Sequence, residues 1–170
     1  MRCISKNITI EKPTNSTDKE TDIELLFAGS IYLNKRPYFS GVKANGTLNY
    51  DHLFSNISAD IKNADLSIIS QETVFKIVEG KEDFKKKVKN TPKELGDAIA
   101  NAGFNVVLHA SDKSYNLGAE GINNTLKFWK KNHPNIHPLG IASTLEESEN
   151  DYYIYKKDNL TISMIIYALN

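Results

Sequence analysis

Asn105–Gly121 reads NVVLHASDKSYNLGAEG, and this stretch decides how the rest of the chain is read. It opens with the short apolar run Val106-Val107-Leu108, which suits a strand covered on both faces. It turns polar at His109, carries Ser111, Asp112, Lys113 and Asn116, and then enters a helix through Gly118 and Gly121. A strand that ends in a polar loop and continues as a helix is one unit of an open α/β sheet. Ligands in such sheets lie in the crevice at the carboxyl ends of the strands. The same residues therefore announce a fold class and a candidate site.

Working outward, two similar units lie upstream. Glu24-Leu25-Leu26-Phe27-Ala28, ended by Gly29-Ser30, reads as a central strand covered on both faces, and 32–49 as a loop marked by Pro37, Gly41 and Asn45-Gly46. Asp51–Asn63 predicts a helix with Leu53, Ile57 and Ile61 as its inner stripe. Leu66-Ser67-Ile68-Ile69 is a second buried strand running into Ser70-Gln71-Glu72-Thr73. A charged excursion over 74–90 follows, with a piece of strand at Thr73 to Val78. Thr91, Pro92 and Glu94 form a capping box for a helix whose inner face is Leu95, Ala98, Ile99 and Ala102 and whose stop is Gly103. A further helix spans about Ala119–Lys131, with Ile122, Thr125, Leu126 and Trp129 on one face and Pro134 beyond it. His137–Ile141 is a short strand. Tyr152–Lys156 and Leu160–Ala168 form a hairpin turning at Asp158-Asn159. The alternation predicts an α/β fold with a mostly parallel sheet covered by helices. Residues 1–22 are polar and read as a mobile arm before a single domain over 23–170.

Bulk properties narrow the function. A chain of 170 residues suits one domain with a proper core. Lys plus Arg and Asp plus Glu number 21 each, which leaves no global field for nucleic acid or an acidic membrane surface. The run Lys85-Lys86-Lys87 with Lys89 is the one dense basic patch and reads as a solvated face beside Glu82 and Asp83. Cys3 is the only cysteine, so no disulfide framework or cysteine zinc site forms within the chain. No apolar run approaches the roughly 18 residues of a membrane span, and the chain as written carries no export signal.

Parallel strands point the same way, so the three strand ends should meet on one rim: Ser30, then Ser70 and Glu72, then His109, Ser111, Asp112, Lys113 and Asn116. Chemically this is either a carboxylate metal site on Glu72 and Asp112 or an anion site on Lys113 and the helix start after Gly118. Ser111 and Asp112 also suit plain capping roles, and His109 suits a satisfied structural histidine. His133 and His137 flank a proline turn and read as surface residues; Tyr152, Tyr153 and Tyr155 read as sheet packing. Phosphate-loop, serine-elbow and Cys/His signatures are absent.

The ordered segments LLFAGS, HLFSNISADIKNADLSIISQET, ANAGFNVVLHASDKSYNLGAEGINNTLKFW, NIHPLGIASTLEES and LTISMIIYALN resemble the CapA/PgsA family, the capsule and poly-γ-glutamate synthesis proteins with a metallophosphoesterase-like domain. The resemblance implies the amino-terminal part of a metallophosphoesterase-like α/β/β/α sandwich, without the family's carboxyl-terminal portion. It also implies a divalent metal (Mn, Zn or Mg) and an envelope role in capsule-polymer handling behind a membrane anchor, while an anionic small molecule or polymer is the partner expected of a Lys113 site. Polar positions depart from the family pattern. Its Gly-Asp is Gly29-Ser30, its NLE is Ser70-Gln71-Glu72, its Asn-Asn-His is Ser111-Asp112-Lys113, and its following aspartate is Asn116. The family's ligand set is thus reduced to Glu72 and Asp112, so a degraded metal centre, with no metal bound, is as much expected as a working one. The alternative is a non-catalytic anion-binding or interaction module on the same fold. The apolar last strand, TISMIIYA, further suggests a homodimer through an exposed edge.

Overall fold

The computed structural model describes residues 22–76 and 91–168; the amino-terminal arm, the lysine run and most of the charged excursion lie outside the described residues. Four strands, β1 (Leu25–Ile31), β2 (Leu66–Gln71), β5 (Val106–Leu108) and β6 (His137–Leu139), form an all-parallel sheet in the order β1-β2-β5-β6. Between them lie α1 (Lys35–Ser40), α2 (Ser58–Asn63), the two-residue strands β3 (Phe75–Lys76) and β4 (Thr91–Pro92), α3 (Lys93–Ala102) and α4 (Gly118–Asn132). After β6 come α5 (Leu145–Glu149) and a separate antiparallel hairpin, β7 (Tyr153–Lys157) and β8 (Leu160–Met164). The expected mostly parallel sheet with helices is what the chain forms.

Alternation along β2 and β5 creates two cores. Ile69 and Val107 face α3 and α4, where they join Leu95, Ile99, Phe75, Phe128 and Trp129. Leu66, Ile68 and Val106 face the opposite way and, with Leu139, pack under Tyr153, Tyr155 and Met164 of the hairpin. Lys157 fixes the hairpin at its far end, its Nζ donating to Asp65 Oδ1 at 2.7 Å and to the Asp22 carbonyl at 3.1 Å.

Several expectations need correction. Among the described residues β1 is an edge strand, not a central one: β2 alone pairs with it there, and Phe27 stays 65% exposed because the hairpin does not reach that side of the sheet. It also runs on through Gly29 and a cis Gly29–Ser30 peptide to Ile31 instead of stopping at Gly29. The expected loop 32–49 contains α1, with Pro37 tolerated in its first turn, where its missing N–H is not needed. Tyr38 anchors that helix, its carbonyl accepting from the buried Tyr50 hydroxyl at 3.0 Å.

The single helix expected over 51–63 breaks into a 3₁₀ turn at Asp51–Leu53 and the short α2. Ser55 and Ser58 hydroxyls donate to the His52 and Ser55 carbonyls, a local bonding that competes with helical pairing. The expected capping box does not form either. Thr91 lies in β4 with its hydroxyl against that of Thr73, so Pro92 becomes the residue before α3 and no side chain caps it. Gly103 does stop α3, at φ 107°. The last strand is shorter than expected, ending at Met164, and it alternates exposed and half-buried residues. The expected turn at Asp158-Asn159 is present, with Asp158 at φ 52°.

Gly96 lies where α3 meets the aromatic cluster. A Cβ there would come within 2.5 Å of Phe128 and 2.6 Å of Phe75. Gly96→Ala gains about 1 kcal/mol of helix propensity, but overpacking a rigid aromatic contact costs about 1–3 kcal/mol. The variant is expected to unfold at lower urea than the parent; an equal or higher midpoint contradicts this packing.

Candidate functional site

The carboxyl ends of β1, β2 and β5 do meet, and Glu72 is where they join. Its Oε1 accepts a hydrogen bond from the Ser30 hydroxyl at 2.6 Å, and its Oε2 accepts from the Lys113 ammonium. Its backbone carbonyl accepts from Ser111 Oγ at 2.5 Å. Gly29 permits this approach: at φ 144° it holds a backbone that favours glycine, and a Cβ on it would lie 2.9 Å from Ser70 Cβ.

The loop after β5 is fastened to itself. Ser114 Oγ donates to the His109 carbonyl, Ser111 N donates to Ser114 Oγ at 2.9 Å, and Lys113 N donates to Ser111 Oγ at 3.0 Å. These bonds aim the Lys113 side chain back over the rim. There its Nζ meets Glu72, lies 3.4 Å from Asp112 Oδ1, and sits 5.2 Å from the centre of the Tyr32 ring. An ammonium over an aromatic face is electrostatically favoured. Pairing has the expected effect on both partners. The hydrogen bond from Lys113, then that from Ser30, holds the Glu72 carboxyl below its ordinary range, and the bond to Glu72 raises the Lys113 ammonium. At neutral pH the rim is a closed ion pair.

The expected rim residues thus separate into groups. Ser30, Glu72, Ser111, Asp112 and Lys113 come together. Ser70 stands beside Gly29 without a side-chain hydrogen bond among those described, and Asn116 is exposed and joins through its backbone N–H to the Lys113 carbonyl at 3.1 Å.

His109 belongs to the core. It is 1% exposed, and its Nε2 accepts from the Trp129 indole N–H at 3.0 Å. With Nε2 accepting, the neutral ring carries its proton on Nδ1. His109 lies two residues beyond Val107, so strand alternation sends it to the helix face; the spacing of α4, which places Trp129 there, was the usable signal. Tyr32 and Ser114 were not foreseen, because nothing local distinguishes a loop tyrosine or serine that a distant lysine will use. His133 pairs with Asp97 at 2.7 Å, and His137 is half-buried against the Tyr153 ring at 5.0 Å between centres. Tyr153 and Tyr155 pack as expected, whereas Tyr152 is exposed. Among the described residues no three His, Cys, Asp or Glu side chains converge closely enough to hold a metal ion, and no helix is long and apolar enough to cross a membrane.

Burial pulls the His109 pKa down to about 3 from an ordinary 6.5. The unfolded chain therefore takes up this proton first as the pH falls, so the native state loses stability from near pH 6.5 down towards pH 3. Each unit in that window removes up to about 1.4 kcal/mol. Urea midpoints of the parent should decline between pH 6.5 and 4.5, and His109→Gln should remove most of that slope. Equal slopes in the two proteins contradict a neutral buried His109.

The model of one family, the bacterial capsule synthesis proteins (PGA_cap), matches residues 24–169 of the chain. No curated protein matches it at a significant level.

Proposed function

The chain belongs to the bacterial capsule synthesis protein family, and from that premise we propose that it takes part in handling a capsule polymer of the poly-γ-glutamate kind. In this reading an internal ion pair replaces the metal centre of a metallophosphoesterase-like domain, and residues 23–170 act as one unit. The observation that carries the proposal is the Lys113 ammonium lying against Glu72, with Asp112 and Tyr32 beside it.

The donor set does not fit a divalent ion. A hard cation needs several oxygen or imidazole ligands to offset its dehydration. The rim offers Glu72 and Asp112, while His109 points into the core. Any cation reaching Glu72 would also face the lysine. Two unit positive charges about 4 Å apart repel by about 4 kcal/mol at an effective dielectric of about 20. Lys113 supplies in covalent form one of the two positive charges that a divalent metal would bring, and it neutralises Glu72. The same pairing weighs against the anion-binding alternative, because the Lys113 charge is already met by Glu72.

Equilibrium dialysis against Mn²⁺ and Zn²⁺ tests the reading. The parent is expected to retain no metal at micromolar free concentration. Stoichiometric retention that disappears in Glu72→Gln overturns the proposal. A second protein carrying Ser30→Asp and Lys113→His is expected to gain affinity over the parent, since each change removes a charge conflict or adds a ligand.

A further inference from the structure

We propose that the cleft between α4, β6 and α5 binds a small zwitterion of dipeptide size, with an apolar body and with free ammonium and carboxylate ends. The cleft lies on the far side of β6 from β5, apart from the rim, and encloses about 590 Å³, within the range of small-molecule sites. Leu126, Ile136, Pro138 and Ile141 give it apolar lining.

Charge divides its walls. α4 presents Lys127 and Lys130, one helical turn apart and exposed, with no ion pair to either among the described residues. The opposite wall presents Glu147 and Asp151. Each acidic residue uses one oxygen to fix the loop backbone: Asp151 Oδ2 accepts from Gly140 N at 2.6 Å and Glu147 Oε2 accepts from Ser143 N at 2.7 Å. No hydrogen bond to their other oxygens is among those described. His137, the other titratable group lining the cleft, lies tilted against the Tyr153 ring, and its own ring makes no hydrogen bond among those described. Two cations face two anions across an apolar floor, so a ligand of one sign meets attraction and repulsion together. A zwitterion laid across the floor meets attraction at both ends.

The sheet edge disfavours the main alternative for a peptide, addition as a further strand. His137 N donates to the Asn105 carbonyl and His109 N donates to the Leu139 carbonyl, so residues 137 and 139 turn their hydrogen-bonding groups to β5. Pro138 is left facing outward, where it has no N–H to give. An added strand would lack that bond, and recognition falls to the ligand's end charges and apolar side chains.

The test is a two-dimensional ¹H–¹⁵N NMR titration with the dipeptide leucyl-phenylalanine, its N-acetyl form and its C-terminal amide. The free dipeptide is expected to shift amides of Asn123, Ala142 and Ser143 saturably. Removing either end charge should weaken binding by about tenfold, equivalent to about 1.4 kcal/mol. Lys127→Ala with Lys130→Ala should weaken the free dipeptide similarly while leaving the amide form, which has no carboxylate, little affected. Asp151→Asn keeps an acceptor for Gly140 and should weaken only ligands with a free ammonium. Equal affinity for all three ligands, shifts confined to the Lys113 rim, or no saturation at tens of millimolar overturns the proposal.

Discussion

Two strands that are apolar on both faces set the terms for everything else. β2 and β5 cannot present a wet side, so they need a layer above and a layer below, and their backbone groups must pair within the sheet. Ile69 and Val107 recruit α3 and α4; Ile68 and Val106 recruit the hairpin. The hairpin's own alternation follows from this position, because one of its faces lies on the sheet and the other meets solvent. β1 shows the same rule from the other side. Among the described residues it is the edge, beyond the reach of the hairpin, and Phe27 is left exposed.

The parallel arrangement also decides what the rim contains. Three strand ends on one side bring Ser30, Glu72 and the loop after β5 into contact although they are far apart in the chain. A geometry that can assemble ligands for a cation assembles here a carboxylate, a hydroxyl and an ammonium. The Glu72 charge is balanced inside the protein. Family membership and the α/β frame agree. The β6 side offers a different balance, with charges fixed on opposite walls and separated by apolar surface.

Strand existence was legible in the sequence because runs such as LSII and VVL have one physical use in a globular chain. Boundaries and local devices were less so. Thr91, Pro92 and Glu94 have the residues of a capping box, yet the Thr91 hydroxyl meets Thr73 instead, a partner no local rule supplies. Ser55 and Ser58 cut a helix that the leucine and isoleucine spacing predicts, because their hydroxyls bond to carbonyls one turn back. At the site, Glu72, Asp112 and Lys113 could be named as candidates from strand ends alone. That His109 would turn inward to Trp129 required knowing where α4 packs.

The sequence by itself determined the α/β class, the order of its central elements and the family frame. Those follow from periodicity and residue type, which are local properties. Only the tertiary structure decided that β1 lies at an edge, that His109 is core, and that Lys113 closes onto Glu72 beneath Tyr32. These are matters of which distant surfaces meet, and a lysine's charge acquires its meaning from the carboxylate that the folded sheet places against it.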